Sequence, residues 1–314
     1  MAKFYETLGI PFGFVIAIFY AVTGNYLLSI LFLTIIVRIC LLPASIKQQK
    51  GMAMQQRLQP KVRRIKEKYG NDQQKIQQET QALYQQEGFS SMGGGCLPML
   101  IQFPIMIGLY QVNYHPFSMV LRIPTAVVTA LKDAVVPFLT ETEAKSTFRL
   151  ELFALQHWNE IDKSAIAGIT AEHIDKIETF IQKFTFFGLD LAQVPDFKHF
   201  SVYWAIPIVS GIVALASSIY SLVRQRKTNP EMSKNPTMGC TMLMMPAMQV
   251  YFAFLFPISV GLYIIMSSLI SFVQMIVLNH LYSPKKVLAR TMIDETIYRR
   301  SKEENTKKIN EFKN

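Results

Sequence analysis

The sequence predicts an all-α polytopic membrane protein with five transmembrane helices, a cytoplasmic helical hairpin and an N-terminal interfacial helix. Half of the 314 residues are hydrophobic and only 17% are charged, whereas a soluble domain carries about 25%. Segments of roughly 20 apolar residues can cross a bilayer core of about 30 Å as helices. Four long stretches contain no Asp, Glu, Lys or Arg, and they lie between Glu6 and Arg38, Glu87 and Arg122, Lys198 and Arg224, and Lys234 and Lys285.

The N-terminal segment, residues 1–23, contains an apolar piece of about 13 residues, which is short for a span. It is therefore predicted to be an interfacial helix, although a sixth span here would change only the side of the N-terminus. The last uncharged run is too long for one helix, and Pro257 divides it into a hairpin with almost no loop. The five predicted spans are residues 24–43, 97–114, 200–223, 239–256 and 258–281.

The orientation of the spans follows from the distribution of Lys and Arg between them. Residues 44–96 hold nine basic and four acidic residues, residues 224–238 hold four and one, and residues 282–314 hold nine and five. The outer loop, residues 115–199, holds eight basic and eleven acidic residues. The positive-inside rule then predicts the N-terminus outside and the C-terminus in the cytoplasm. This sorting, rather than nucleic-acid binding, explains the net charge of +10.

The polar segments also have predicted structures. Residues 44–96 combine two amphipathic helical patterns with a turn at residues 70–72, which predicts an antiparallel helical hairpin. In the outer loop Thr170 is a plausible N-cap. The basic tail, residues 282–314, has two interpretations: a solvated, partly helical extension, or a ribosome-contact segment whose binding to RNA phosphates weakens with salt.

Arg38 is the most informative single residue. A cation inside a span costs about 2.5–3.5 kcal/mol on insertion scales, so it usually faces a wet cavity or a partner. The alternative is that the side chain of Arg38 snorkels to the lipid headgroups, because Arg38 lies close in the sequence to Pro43, where the predicted span ends. The other spans contain no acidic residue, which favours a water-filled cavity that accepts an anionic group. The polar residues available to line such a cavity, or to bond helices together, are Gln102, Ser217, Ser218, Gln249, Ser267, Ser268 and Gln274.

The sequence lacks the patterns of an enzyme or a metal protein. It contains no His-Glu-x-x-His, Gly-x-Ser-x-Gly or Walker motif. Cys40, Cys96 and Cys240 lie in or beside hydrophobic runs, without metal-ligand or disulfide spacing, and are interpreted as buried, inert thiols. We therefore expect a protein that is not an enzyme and that uses no cofactor or metal.

A series of motifs resembles the YidC membrane protein insertases, which are related to mitochondrial and chloroplast insertases. The resemblance covers the chain outside about residues 117–185, and the motifs flank the predicted spans in the family's order. The matching stretches are Thr34-Ile35-Ile36-Val37-Arg38 and Leu42-Pro43, Leu58-Gln59-Pro60-Lys61 and Lys68-Tyr69, Gly95-Cys96-Leu97-Pro98-Met99-Leu100-Ile101-Gln102 and Pro104, Phe187-Gly188-Leu189-Asp190-Leu191, Met245-Pro246-Ala247-Met248, Phe256-Pro257 and Gly261-Leu262-Tyr263.

This resemblance implies five spans, an N-terminal helix at the outer surface, and a hydrophilic groove open to cytoplasm and lipid that receives a nascent membrane protein. Arg38 corresponds to the family's intramembrane arginine. The expected groove residues are Arg38, Gln102, Ser217, Ser268 and Gln274. The sequence departs from many relatives at three positions: Ile264 stands where they have Trp, Ser268 where they have Asn, and Ser217 where they have Gln.

The resemblance also implies a bacterial plasma membrane location without the large periplasmic domain of Gram-negative members. The implied partners are nascent membrane proteins, the lipid bilayer, the Sec translocon, the ribosome and the signal recognition machinery, but not DNA. Two other functions compete with an insertase. A secondary transporter of a small anion predicts internal repeats, and none is evident. A membrane receptor that only docks ribosomes predicts that Arg38 tolerates substitution.

Overall fold

A computed structural model describes residues 2–70, 72–87, 97–140, 147–228 and 236–313. The motif residues Gly95 and Cys96, the end of the predicted hairpin segment (88–96) and residues 229–235 of the predicted cytoplasmic loop lie outside these ranges. The chain divides into two compact units. One comprises Met1–Ile39 and Met99–Ser271, and the other comprises Cys40–Pro98 and Phe272–Asn314.

The described residues are predominantly α-helical. In chain order the α-helices are α1 (Ala2–Thr23), α2 (Tyr26–Cys40), α3 (Leu42–Tyr69), α4 (Gln73–Gln86), α5 (Leu97–Tyr114), α6 (Pro116–Met119), α7 (Thr125–Val135), α8 (Leu150–Gln156), α9 (Ala171–Lys183), α10 (Ala205–Thr228), α11 (Pro236–Leu255), α12 (Ile258–Leu281) and α13 (Pro284–Lys313). Short 3₁₀ turns lie at Val136–Phe138, Thr147–Arg149, Lys163–Ala165 and Val202–Trp204. Two strands, β1 (Thr185–Phe186) and β2 (Leu189–Asp190), form an antiparallel pair.

Two of the described helical segments are long and apolar enough to cross a membrane, Val202–Arg224 and Ile258–Leu281. A third candidate arises if Tyr26–Cys40 and Leu42–Met54 form one span across the break at Leu41. Shorter apolar helices cover Thr7–Thr23 and Met244–Leu255. The helical membrane class is therefore supported, while the count of five spans stays a prediction.

In the first unit, small residues allow close approach of the helices that follow the outer loop. A Cβ placed on Gly211 of α10 would lie 2.6 Å from Cγ2 of Val250 in α11. A Cβ on Gly261 of α12 would lie 2.6 Å from Cγ2 of Ile206 in α10. In a bilayer the hydrophobic effect does not drive helices together, so such close van der Waals packing is a main source of helix association.

We expect Gly211→Leu to destabilise the packing of α10 against α11. The added side chain collides with Val250, and overpacking of this kind costs about 1–3 kcal/mol. The measurement is the melting temperature of the purified protein in detergent. Ala216→Leu is the matched control, because Ala216 lies on the same helix and is exposed. Equal melting temperatures for the two variants would contradict this packing.

Within the first unit, the segment predicted to be the outer loop is organised by a buried carboxylate. Glu151 in α8 is only 1% exposed. Its Oε2 accepts hydrogen bonds from the backbone N–H groups of Phe117 and Ser118 at the start of α6, at 3.0 and 3.1 Å. Its Oε1 lies 3.1 Å from Nδ1 of His115 and 3.1 Å from Nζ of Lys132. One side chain therefore joins α6, α7 and α8.

Burial by itself would raise the pKa of the Glu151 carboxyl, because it penalises the charged form. The hydrogen bond and charge of His115, the charge of Lys132 and the backbone N–H of Ser118 outweigh that effect, so the pKa lies below its ordinary value.

Elsewhere in the outer loop, the side chain of Thr170 accepts a hydrogen bond from the backbone N–H of His173 in a capping box at the start of α9, which confirms the predicted N-cap.

The stretch Phe187–Leu191, recognised above as a motif, contains the turn and second strand of a tight hairpin. Phe187 and Gly188 both have positive φ, 49° and 80°, which is the requirement of a type I′ turn between two strands. Just after β2, the carbonyl groups of Leu191 and Gln193 accept hydrogen bonds from Ser259 and Ile258, at 3.0 and 2.9 Å. The segment that follows the hairpin thus supplies partners for N–H groups at the start of α12 that have none within the helix.

In the second unit, α3 and α4 form an antiparallel hairpin. Asp72 caps α4 by accepting a hydrogen bond from the backbone N–H of Lys75 at 3.1 Å. Near the open end of the hairpin, Lys61 forms an ion pair with Glu87. Both side chains are partly or fully exposed, so this pair adds little stability.

The tail is a continuous helix, α13, and it packs against α3. Arg57 of α3 makes a bidentate pair with Glu295 of α13, at 2.6 and 3.0 Å. Glu295, one of the five acidic residues of the tail, supplies this contact to α3. The helix is more continuous than the partly helical extension expected from the sequence, and most of its described side chains are exposed. Whether the tail is only a solvated extension or also a ribosome-contact segment stays a prediction.

Cys40 is exposed at the end of α2, so the prediction that it is buried is wrong. A thiol is a small and weakly polar group, so leaving it exposed costs little. Cys96 and the side chain of Cys240 lie outside the described residues.

Candidate functional site

Arg38 lies near the C-terminal end of α2 and is half-buried. Its Nη2 donates hydrogen bonds to Oγ of Ser267 at 2.6 Å and to the backbone carbonyl of Ser267 at 3.3 Å, both on α12. The helices α2, α10, α11 and α12 contain no Asp or Glu. These partners are therefore neutral, and they orient the guanidinium without balancing its charge.

Ser267 itself is buried, and it also takes part in a hydrogen bond within α12. Its carbonyl oxygen also accepts a hydrogen bond from Oγ of Ser271, one turn later, at 2.6 Å. Serine hydroxyls in helices commonly bond the carbonyl four residues earlier. A short polar strip therefore runs along α12 at the level of Arg38.

Gln249 of α11 continues this polar region to two neighbouring helices. Its Nε2 donates to Oγ and to the backbone carbonyl of Ser210 in α10, at 3.1 and 3.4 Å. The same nitrogen lies 3.2 Å from Oγ of Ser268 in α12. A single amide thus connects three helices. Together these side chains form a polar band, defined as Arg38, Ser210, Gln249, Ser267, Ser268 and Ser271.

The residues expected in the groove are only partly brought together. Arg38 and Ser268 both belong to the polar band, although Arg38 binds Ser267 and Ser268 binds Gln249 instead. Ser217 is half-buried and donates to the carbonyl of Val213 in its own helix, at 2.9 Å. It lies seven residues beyond Ser210, which places both on the same face of α10.

Of the two expected glutamines, the structure describes the side chain of Gln274 only. Gln274 follows Ser267 by seven residues and so shares its face of α12. Its Nε2 is buried and has no hydrogen-bond partner among the described residues. Gln102 lies in α5, but its side chain is outside the described part of the chain.

Sequence reasoning missed Ser210 and Ser271. The spacing of Ser267 and Ser271 by four residues within an uncharged run was a usable signal, because it places two hydroxyl groups on one face of a helix. Ser210 had no comparable signal, since its place in the band comes from its hydrogen bonds with Gln249 of another helix. The sequence of one helix does not show which residues of another helix it contacts.

The chemistry available at the polar band is that of a fixed cation with neutral hydrogen-bond partners. A positive charge in a medium of low dielectric attracts anionic groups and water more strongly than the same charge in bulk water. The band offers no nucleophile paired with a base. Among the residues that the structure describes, no group of three His, Cys, Asp or Glu side chains is placed to hold a metal ion.

The sequence of the chain is similar to known proteins over most of its length. The profile of a family described as 60Kd inner membrane protein matches residues 18–286. A Listeria innocua protein named membrane protein insertase YidC 2 is 27% identical over 279 residues, which cover 87% of this chain and 71% of that protein.

Two other relatives match over a shorter region with higher identity. The Bacillus subtilis membrane protein insertase MisCA is 47% identical over 91 residues, 28% of this chain and 34% of that protein. The Oleidesulfovibrio alaskensis membrane protein insertase YidC is 47% identical over 93 residues, 30% of this chain and 17% of that protein. The match thus spans about a third of the Bacillus protein and less than a fifth of the Oleidesulfovibrio protein.

Proposed function

Because the chain belongs to the 60Kd inner membrane protein family, we propose that it is a membrane protein insertase that inserts nascent proteins into a bacterial plasma membrane and helps them fold. The observation that carries this proposal is Arg38, an intramembrane cation whose hydrogen-bond partners are neutral serine groups. An acidic client segment would supply the negative charge that α2, α10, α11 and α12 do not offer to Arg38.

The proposed topology has five spans, with the N-terminus outside and the C-terminus in the cytoplasm. In chain order these are α2, α5, α10, α11 and α12, while α1 lies at the outer surface. The segregation of basic residues supports this arrangement. So does a group of exposed phenylalanines before α10, because interfacial segments bury such side chains at the boundary between headgroups and acyl chains. Phe187, Phe197 and Phe200 are 91%, 53% and 82% exposed.

The proposed mechanism begins with a hydrophilic groove that contains the polar band, Gln102, Ser217 and Gln274. Water in the groove shortens the apolar distance that a polar client segment has to cross. Arg38 offsets part of the desolvation cost of that segment, which for an unpaired buried charge is large. The groove thereby lowers the barrier without a nucleotide or a covalent step.

The client's hydrophobic helix would then move into lipid along the outer surfaces of α10 and α12. Both helices expose large apolar side chains, with Ile212 60% and Val273 60% exposed. On α11, Met244 and Met245 are exposed by 62% and 63%, and methionine adapts to varied apolar partners. Partition of the apolar helix supplies the driving force, and the membrane potential adds to it for acidic outer segments.

The helical hairpin of α3 and α4 is proposed to engage the client or the targeting machinery early. Its exposed surface carries many basic side chains, which attract acidic partners and RNA. The Sec translocon, the ribosome and the signal recognition machinery are the partners proposed for this stage. Deleting the hairpin should reduce insertion while the remaining spans stay folded.

The test is insertion of a single-span client into liposomes that contain the purified chain. A cell-free system synthesises the client, and protease protection of its outer segment measures insertion. We expect protection with the chain present and background protection in empty liposomes. Equal protection in both would contradict the proposal. A transporter would instead produce chloride or phosphate flux in the same liposomes without client protection.

A further inference from the structure

The second unit contains an open pocket of about 470 Å³ at the point where α12 gives way to α13. It lies within that unit, between α3 and the α12–α13 junction. Its lining combines apolar and charged side chains, with a tyrosine at the end of the span. The residues that line it are Lys50, Leu281, Tyr282, Lys286, Val287, Ala289, Arg290, Thr291, Ile293 and Asp294.

Two contacts between α3 and the C-terminal helices bracket the pocket. On one side, the side-chain amide of Gln49 donates to Oδ1 of Asn279 in α12. On the other, Arg57 pairs with Glu295 in α13. The lining residues Lys50 and Asp294 directly adjoin these contacts in the sequence. The pocket therefore has walls that are held together before any ligand arrives.

The charge of the lining is unbalanced. Lys50, Lys286 and Arg290 contribute three positive charges and Asp294 contributes one negative charge, so the net charge is +2. The ammonium group of Lys50 lies 5.8 Å from the centre of the Tyr282 ring, and that of Lys286 lies 3.4 Å from the carbonyl oxygen of His280. Neither contact neutralises a cation, so the pocket offers charge to an anion.

The apolar part of the lining narrows the class of anion. Leu281, Val287 and Ile293 supply an apolar surface beside the cations, and Leu281 and Ile293 are each 57% exposed. A free phosphate or an RNA backbone has no apolar part to contact this surface, whereas a phospholipid joins a phosphate to acyl chains that can. Leu281 is also the last residue of a helix that is long and apolar enough to span the membrane, so the pocket begins where lipid headgroups begin.

We propose that this pocket binds the headgroup of an anionic phospholipid, with the phosphate at Lys50, Lys286 and Arg290 and an acyl chain against Leu281 and Ile293. The proposal rests on the topology proposed above, in which α12 ends at the cytoplasmic face. Anionic lipids are attracted there by juxtamembrane basic residues. The bound lipid would join α3 to the start of α13 and so anchor the basic hairpin at the membrane surface.

The test is a titration of the full-length chain, purified in a neutral detergent, with short-chain phosphatidylglycerol followed by native mass spectrometry. The variant is Lys50→Gln, Lys286→Gln and Arg290→Gln combined. Each basic residue near an anionic surface contributes roughly fivefold, so the triple variant should bind about a hundredfold more weakly. Asp294→Asn should bind more tightly than the unsubstituted chain. Short-chain phosphatidylcholine should bind neither to the unsubstituted chain nor to the variants.

The matched control is Lys66→Gln, Arg299→Gln and Arg300→Gln combined, which also removes one cation from α3 and two from α13. These three residues are exposed and lie outside the pocket. Equal loss of phosphatidylglycerol in both triple variants would overturn the proposal, as would retention in both. Competition by glycerol phosphate as strong as that of the lipid would assign the pocket to a free phosphate instead.

Two further measurements separate the alternatives. If the pocket triple variant lost co-sedimentation with ribosomes but kept its phosphatidylglycerol, the pocket would be an RNA site and the lipid proposal would be wrong. Lipid binding is measured without a client, so a chain that binds phosphatidylglycerol but fails to insert clients would contradict only the proposed insertase function. If the pocket triple variant lost phosphatidylglycerol binding and still inserted clients into neutral liposomes, both proposals would be supported.

Discussion

Arg38→Ala is expected to lower insertion of clients with acidic outer segments by about tenfold, with a much smaller effect on clients whose outer segments are neutral. A tenfold change corresponds to about 1.4 kcal/mol, and two unit charges about 4 Å apart at an effective dielectric of 20 attract one another more strongly than that. The measurement is protease protection in the liposome assay, with paired clients that differ only in their outer acidic residues.

Two control variants separate charge from hydrogen bonding. Arg38→Lys keeps the positive charge and should keep most of the activity. Ser267→Ala removes the hydroxyl partner of Arg38 but leaves the cation, and should also insert acidic clients well. If Arg38→Lys were as inactive as Arg38→Ala, the geometry of the guanidinium rather than its charge would be essential. Full activity of Arg38→Ala would contradict the groove mechanism and favour a receptor that only docks ribosomes.

Glu151→Gln is expected to destabilise the outer part of the first unit by about 3 kcal/mol at neutral pH, which is typical of removing one partner from a buried ion pair. The amide keeps the size of the carboxyl but loses the charge opposite Lys132 and His115. It also weakens the acceptor of the N–H groups of Phe117 and Ser118. Thermal melting followed by the fluorescence of buried Trp158, in a Trp204→Phe background, reports on this region.

The same carboxylate predicts how the stability of this region depends on pH. Because the pKa of Glu151 is lower in the folded chain than its ordinary value of 4.5, the unfolded chain binds its proton more readily. Its contribution is therefore complete well above pH 4.5 and is lost as the pH falls through the folded value. The melting temperature of the unsubstituted chain should fall below about pH 4.5, and that of Glu151→Gln should fall less.

Glu160→Gln is the matched control for this prediction. Glu160 follows α8 closely in the sequence, but its side chain is 57% exposed. An exposed ion pair contributes little, so this variant should melt like the unsubstituted chain at neutral pH and keep its acid-induced decrease. Identical pH profiles for Glu151→Gln and the unsubstituted chain would show that the buried carboxylate does not control the acid sensitivity.

Several features of this protein were available from the sequence because they depend only on local composition. The uncharged runs predict apolar helices wherever they occur, and α10 and α12 are such helices. Over the described residues, the two helical patterns predicted between residues 44 and 96 correspond to α3 and α4. Arg38 was identifiable for the same reason, since a cation in an uncharged run is conspicuous without any knowledge of its neighbours.

Tertiary structure decided which side chains meet. In an apolar solvent the whole circumference of a span is hydrophobic, so the pattern does not reveal which face turns toward another helix. The sequence therefore could not select Ser267 over Ser268 as the partner of Arg38, or place Gln249 between Ser210 and Ser268. Those choices depend on the rotation and depth of each helix.

The same limit explains one contact that the sequence did not predict and one interpretation that was wrong. The polar composition of the tail predicts an exposed segment, but it could not reveal the pairing of Glu295 with Arg57, because α3 is more than 200 residues away in the sequence. Cys40 was expected to be buried on the preference of its residue type alone. Local sequence determines which segments become helices, and packing between distant helices determines which of their residues are buried and which contacts they make.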